Sequence, residues 1–119
     1  VHNYYAVGDI GFIVSPRNVK AQVVGNIIFG LSTALREKIT VRNGAVQESN
    51  FHQYPIFRIN EIPNIEVQVT ATENPPSGAG ELGTAMIAPS IANALYTLTG
   101  KRVRHMPLTS DVVAQALKA

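Results

Sequence analysis

The stretch from Asn18 to Glu37 carries one continuous apolar stripe, and this stripe constrains the fold more than any other feature of the sequence. Apolar side chains recur there at intervals of four residues, at Val19, Val23, Ile27, Leu31 and Leu35. This period predicts a helix, because residues four apart share one helical face. Such a face must be buried, so the rest of the chain has to supply a surface that covers it.

Three other residues of this helical segment bear on function. Gly25 and Gly30 each cost about 1 kcal/mol relative to alanine in a helix interior, which indicates close backbone approach there, against a sheet or a cofactor. Gln22 is polar on an apolar helix. Such a residue is usually exposed, but its amide also offers a donor and an acceptor to a heterocycle or a phosphate.

Strand-like segments supply the covering surface. Residues 65–72 alternate apolar and polar side chains, which predicts a half-buried strand. Asn43-Gly44 lies between two short β-rich runs and predicts a type I′ hairpin turn. Strands are predicted over His2–Asp9, Ile39–Val41, Ala45–Gln47, Ile65–Thr72 and Val103–Leu108.

Two further helices are predicted after the strand of residues 65–72. Pro89 is expected in the first turn of its helix, because an interior proline removes a backbone hydrogen bond, and Gly100 is a natural C-terminal cap. These helices are predicted from Thr84 or Ser90 to about Thr99, and from Thr109 or Ser110 to Leu117. The fold class is therefore α+β, with a mixed sheet packed against two main helices in a single domain over residues 1–119.

Composition excludes several classes of function. Apolar residues make up 45% and charged residues 15% of the chain, so it is not disordered, and a surface this poor in charge favours packing against another surface. The net charge of +2 implies neither nucleic acid nor an anionic membrane. There is no cysteine, the three histidines lack ligand spacing, and no apolar run is long enough to span a membrane, so neither a metal site nor a membrane span is expected.

The chain begins at Val1 without methionine and enters strand-like sequence at once, which indicates a fragment or a processed product. Any export signal would then lie upstream, and the compartment, bacterial cytoplasm or periplasm, stays open.

The segment Ser77-Gly78-Ala79-Gly80-Glu81 places one carboxylate in a glycine-rich turn before an apolar helix. Glycines let the backbone approach a ligand closely, and a carboxylate confined there is a candidate general base, since burial raises the pKa of a carboxyl group. The alternative is a solvated turn. The spacing of Gly78, Gly80 and Gly83 does match a dinucleotide fingerprint, but residues 73–76 separate it from the strand, and that function is not favoured.

Basic residues cluster at Lys101, Arg102 and Arg104, after the predicted end of the second main helix. Cations are favoured at a helix C-terminus by the helix dipole, so a solvated helix end is the preferred interpretation. A partner-facing patch or a phosphate contact is the alternative.

A larger set of segments occurs in an order and at spacings typical of one enzyme family. These segments are Asp9-Ile10-Gly11, Ser15-Pro16, Gln22, Gly25, 28–32, 49–54, Arg58, Gly80-Glu81, Ala88-Pro89, 92–94 and 99–102. Together they resemble the C-terminal region of the molybdenum-binding large subunit of the xanthine oxidase family. Within that family the likeness is greatest to the molybdenum hydroxylases of the isoquinoline 1-oxidoreductase and aldehyde oxidase type.

The resemblance implies a hydroxylase that oxidises an N-heterocycle or an aldehyde at carbon, with water as the oxygen source. By motif match, Glu81 is the catalytic base, and Gln22, Ala79 and Gly80 contact the cofactor, a molybdopterin cytosine dinucleotide carrying molybdenum. Electrons would leave through 2Fe–2S clusters on a separate small subunit, which fits the absence of cysteine here.

The sequence departs from the family pattern at Leu82, where the family often has proline after the glutamate. The family's large subunit is also several times longer than this chain. We therefore expect the chain to be a fragment of a larger molybdenum-binding domain, with the remainder of the large subunit and the iron–sulfur subunit as partners. By itself it is expected to bind no cofactor and to be inactive. The alternative is a non-catalytic structural or interaction module that retains the fold.

Overall fold

A computed structural model describes residues 1–118 of the chain. In chain order, the elements are β1 (Asn3–Asp9), α1 (Pro16–Leu35), β2 (Val41–Arg42), β3 (Ala45–Val46), β4 (Asn64–Thr70), α2 (Thr84–Thr99) and α3 (Ser110–Lys118). Two short 3₁₀ turns, Phe51–Gln53 and Ile59–Glu61, lie between β3 and β4. The predicted α+β class with two main helices is confirmed.

The strands form two separate pairs. β1 and β4 are parallel, with Asn3 opposite Asn64 and Asp9 opposite Thr70. β2 and β3 form the antiparallel hairpin that Asn43-Gly44 predicts. Both turn residues have positive φ, 51° at Asn43 and 77° at Gly44, as a type I′ turn requires.

The apolar stripe of α1 forms the centre of the core. Ile27 and Leu31 are fully buried, together with Ile87 of α2. Around them lie Val23, Ala34, Val67, Ile91, Val103 and Leu108. α1 therefore packs against both β4 and α2 and contributes the central residues of the core.

Gly30 explains how closely α1 and α2 approach each other. A Cβ atom at this position would lie 2.5 Å from Cγ1 of Ile87 and 3.0 Å from the carbonyl oxygen of Thr84. Only glycine fits without displacing α2. Close approach at Gly30 is thus confirmed, but the expected sheet or cofactor is wrong at this position, because the surface that Gly30 approaches is the second helix.

The prediction that Pro89 lies in the first turn of its helix is wrong. α2 begins at Thr84, so Pro89 is its sixth residue and lies in the second turn. Proline has no backbone N–H, so the helical hydrogen bond from position 89 to the carbonyl of Ala85 is missing. The helix end is as predicted, since Gly100 adopts a left-handed conformation with φ of 69°.

The predicted strand over 103–108 is also wrong. This segment is an irregular connection anchored by the buried side chains of Val103 and Leu108. The backbone N–H of Leu108 donates to the carbonyl of Ala34 at 2.7 Å. The N–H of Leu108 therefore bonds to the end of α1 and not to a neighbouring strand. The last helix, α3, begins at Ser110 as predicted and ends at Lys118, one residue beyond the predicted end.

Candidate functional site

The glycine-rich loop, residues 71–83, is anchored at its first half by the turn that follows β1. The N–H of Phe12 donates to Asn74 O at 2.9 Å, and the N–H of Ser77 donates to Ile10 O at 2.8 Å. Gly11 has φ of 80°, and a Cβ there would lie 2.3 Å from the carbonyl oxygen of Pro75. The loop can therefore dock against this turn only because position 11 is glycine.

The second half of the loop is held by two amide side chains of α1. Gln22 Nε2 donates to Gly80 O at 3.3 Å, and Asn26 Nδ2 donates to Ala79 O at 3.0 Å. The two amides are four residues apart, so they project from the same face of the helix. We call this pair of hydrogen bonds, from Gln22 and Asn26 to Gly80 and Ala79, the amide clamp. It fixes the backbone immediately before Glu81.

The structure thus brings together the four site residues that the sequence singled out: Gln22, Ala79, Gly80 and Glu81. Gln22 is 58 residues from its partner, Gly80, and Asn26 is 53 residues from Ala79. Contacts this distant in sequence cannot be read from local patterns.

Asn26 is the site residue that sequence analysis missed. It is only 6% exposed, although it is polar and lies within the apolar helix. Buried amides need hydrogen-bond partners, and the loop carbonyl provides one. The available signal was its position four residues after Gln22 on the buried side of α1.

An open depression of about 290 Å³ adjoins the amide clamp. It is lined by Gly25, Asn26, Phe29, Gly80, Glu81 and Thr84. A Cβ built at Gly25 or at Gly80 meets nothing within 4 Å. An interior helical glycine costs about 1 kcal/mol, and no close packing among the described residues requires glycine at position 25.

Glu81 lies at the rim of this depression and is exposed. Its carbonyl oxygen accepts the N–H of Thr84 at 3.1 Å, which ties it to the start of α2. Over residues 1–118 its carboxylate has no hydrogen-bond partner, so both oxygens are available to a ligand. Within this chain the carboxylate is not buried, contrary to the confinement expected from its glycine-rich surroundings.

A second polar network holds the irregular segment 49–62 against the end of α1. Arg36 forms an ion pair with Glu61 and lies over the ring of Phe57, 4.8 Å from its centroid. The hydrogen bonds from Arg36 are the main reason that the pKa of Glu61 lies below its usual value.

Glu37 belongs to the same network. Partial burial raises its pKa, but hydrogen bonds from Ser32, Tyr54 and Thr33 together lower the pKa by more than burial raises it. The net shift of the Glu37 pKa is therefore downward. The hydroxyl of Tyr54 donates to Glu37 at 2.8 Å. These contacts stabilise the fold and lie outside the depression next to Glu81.

The part of the chain that the structure describes contains no cluster of three or more metal-ligating side chains of histidine, cysteine, aspartate or glutamate. Among residues 1–118, no helix combines the length and the apolar character needed to cross a membrane.

Comparison with known proteins gives a consistent result. The molybdopterin cofactor-binding domain family matches residues 1–63. The beta subunit of isoquinoline 1-oxidoreductase from Brevundimonas diminuta is 41% identical over 108 residues, which cover 91% of this chain and 14% of that protein. The molybdenum-binding subunit of an aldehyde oxidoreductase from Escherichia coli is 34% identical over 125 aligned positions, covering 98% of this chain and 17% of the relative.

Among solved structures, quinoline 2-oxidoreductase from Pseudomonas putida 86 superposes with a TM-score of 0.85. The match covers 98% of this chain and 16% of that one, at 19% identity, and so it supports the fold. The resemblance inferred from the sequence is confirmed. The chain spans only about a seventh of the length of the curated relatives it matches.

Proposed function

The chain belongs to the molybdopterin cofactor-binding domain family, and we propose that it is the part of a molybdenum hydroxylase that presents the catalytic base, Glu81. In this proposal residues 1–119 form one domain within a longer large subunit. The observation that carries the proposal is the amide clamp, which holds Ala79 and Gly80 and so fixes the backbone before a ligand-accessible carboxylate.

The residues around the depression fit a bulky cofactor. Gly25 and Gly80 leave open space on its two sides, and we assign Gln22, Ala79 and Gly80 to contact with a molybdopterin cytosine dinucleotide. When bound, this group supplies the metal centre at which the substrate carbon is oxidised.

The role of Glu81 is to take a proton. As general base, its carboxylate accepts the proton of the oxygen nucleophile, which derives from water. A base must lie within hydrogen-bond reach of the proton it removes. The clamp contributes to that placement, because Gly80 and Glu81 are adjacent and the flexible glycine is held by Gln22.

We propose an N-heterocycle or an aldehyde as the substrate, since the named relatives include an isoquinoline and an aldehyde oxidoreductase. The proposed partners are the remainder of the large subunit and a small subunit that carries 2Fe–2S clusters. Exposed apolar side chains on β1, Tyr5 and Val7, support the first of these partners, because they form a surface that packing would cover.

The test is Glu81→Gln in the full-length enzyme, with Glu73→Gln as the matched control in the same loop. Glu81→Gln should lower turnover about 10²- to 10⁴-fold, which is the usual contribution of a general base. Molybdenum content should stay unchanged in both variants, and Glu73→Gln should keep its turnover. Normal turnover in Glu81→Gln would contradict the assignment and favour the non-catalytic module.

We also propose that the 119-residue chain alone binds no molybdenum cofactor and is inactive, because its depression is open to solvent. Metal analysis of the purified chain checks this. Stoichiometric molybdenum would contradict the proposal.

A further inference from the structure

A large concave surface whose lining does not include Glu81 is basic. It has a volume of about 720 Å³. Four basic side chains line it: Lys38, Arg102, Arg104 and His105. Its remaining walls are formed by Met106 and by one face of α3, and we call this surface the basic cleft.

The backbone segment that carries Arg102, Arg104 and His105 is anchored in the core. Val103 and Leu108 are buried in the core, and Leu108 is also hydrogen-bonded to the end of α1. Because Val103 points inward, the side chains on either side of it, Arg102 and Arg104, are left exposed at the cleft. Buried anchors on both sides therefore present the basic residues in a fixed arrangement.

Arg102 is oriented before any ligand binds. Its guanidinium carbon lies 3.6 Å from the centroid of the Tyr96 ring, and its Nη1 donates to Asn93 Oδ1 at 2.9 Å. Only one of its five N–H groups is used in this bond. An arginine held in this way loses less side-chain entropy when it binds a carboxylate.

The charges of the cleft are not neutralised by ion pairs. Within residues 1–118 the one ion pair is that of Arg36 and Glu61, so none of the four basic residues is paired. The pKa values of Glu48 and Asp111 are lowered chiefly by hydrogen bonds, from the backbone of Thr40 and the side chain of Thr109 respectively, and to a smaller extent by the charge of Lys38. Both carboxylates therefore lie near Lys38, but neither lines the cleft. Clustered cations repel one another, and an anionic partner would relieve that repulsion.

From these observations we propose that the basic cleft binds an acidic polypeptide segment of a partner protein, with carboxylates that meet the basic residues and an apolar side chain that contacts Met106 and Val112. The volume far exceeds what a single small anion would fill, and the walls are partly apolar. Arginine and methionine are both enriched at protein interfaces, and arginine clusters recognise acidic motifs. This inference does not depend on the role of Glu81.

The test is binding of a fluorescein-labelled peptide of alternating glutamate and leucine to the purified full-length enzyme, measured by fluorescence anisotropy. The matching glutamine–leucine peptide and inorganic pyrophosphate serve as comparison ligands. We expect the acidic peptide alone to bind, and its affinity to fall as salt rises from about 0.02 to 0.15 M.

The variants Lys38→Gln and Arg104→Gln should each weaken this binding about two- to fivefold, and Arg42→Gln, an exposed cation on the hairpin, should leave it unchanged. Thermal unfolding confirms that each variant is folded. Equal binding of the two peptides would overturn the proposal, as would equal effects of Arg104→Gln and Arg42→Gln. Binding of pyrophosphate through the same cations would show a small-anion site instead and would also overturn it.

Discussion

Asn26 shows how one residue links the core of this chain to its candidate site. Its side chain is buried beside the apolar stripe, yet its amide reaches the loop carbonyl of Ala79. A Cβ at Gly83 would lie only 3.2 Å from Cβ of Asn26, so the loop also packs closely on this residue. Asn26 is therefore a positioning residue for the segment that ends in Glu81.

Replacing Asn26 by alanine should destabilise the protein by about 1 kcal/mol, because one buried hydrogen bond is lost. Amide hydrogen exchange over residues 79–83 should become faster, since the loop loses one of its two clamp bonds. Asn18→Ala is the matched control, as Asn18 is exposed on the same helix. Urea unfolding and hydrogen exchange measure the two effects, and unchanged exchange in Asn26→Ala would exclude the positioning role.

Neither hydrogen bond of the amide clamp was predictable from the sequence, because Gln22 was expected to contact a cofactor and Asn26 was not singled out. Gln22 matched a family position, but Asn26 reads as an interruption of an apolar helix, and its partner is 53 residues away. Chemical type and spacing identified the loop and its carboxylate. They could not show that the carboxylate is exposed, because exposure depends on which other segments surround it.

At the scale of elements, the two glycines of α1 have opposite surroundings. Gly30 lies against Ile87 and Thr84 of α2, but Gly25 faces open space. The sequence predicted close approach at both positions without distinguishing them. The distinction follows from which face of α1 the second helix covers.

Gly30→Ala should destabilise the fold, because overpacking of about 1–3 kcal/mol outweighs the gain in helix propensity. Gly25→Ala should stabilise it by about 1 kcal/mol, since only the gain in helix propensity remains. In the full-length enzyme, Gly25→Ala should nevertheless lower the molybdenum content, because its methyl group enters the depression. Urea unfolding and metal analysis test the pair, and full molybdenum content in Gly25→Ala would argue against cofactor contact there.

The segment between the hairpin and β4 depends on carboxylates whose pKa values are lowered in the folded state. For Glu61 the cause is chiefly the hydrogen bonds from Arg36, and for Glu37 hydrogen bonds outweigh burial. A lowered folded pKa means that the unfolded chain binds the proton more tightly. The resulting stability is therefore present at neutral pH and is lost as the pH falls below the ordinary value of 4.5.

Glu61→Gln should accordingly lower the free energy of unfolding at neutral pH. Between roughly pH 5 and pH 3 the free energy of unfolding should then fall less steeply than in the unsubstituted protein. Glu66→Gln on β4 is the control, because Glu66 is exposed and makes no ion pair among the described residues. Urea unfolding across this pH range gives the comparison. An acid transition that is identical in Glu61→Gln and in the unsubstituted protein would rule out this source of stability.

The apolar periods of the sequence predicted both main helices and the buried face of α1, because a helix that buries one face carries a matching apolar period in its sequence. On α2 the prediction fails at the end of its apolar row, where Leu98 is exposed. The failures at Pro89 and over 103–108 have different causes. The second main helix begins at Thr84, the earlier of the two predicted starts, so Pro89 lies beyond its first turn. Over 103–108 tertiary contacts decide the backbone, since Leu108 is anchored to α1. Local propensity does not include such contacts.

At the scale of the whole molecule, the chain is a small α+β unit that spans about a seventh of its curated relatives. It presents two surfaces with different chemistry: the depression at the amide clamp and the basic cleft. The first contains the proposed base, and the second the proposed docking site. Their separation means that substitutions in the cleft should leave the proton-transfer chemistry intact.

Anaerobic mixing of the full-length enzyme with substrate tests whether Glu81 removes a proton during substrate oxidation. This measurement follows reduction of the enzyme in a single turnover, without electron transfer to an acceptor. We expect Glu81→Gln, with full molybdenum content, to be reduced about 10²- to 10⁴-fold more slowly than the unsubstituted enzyme. Equal rates of reduction would contradict this role.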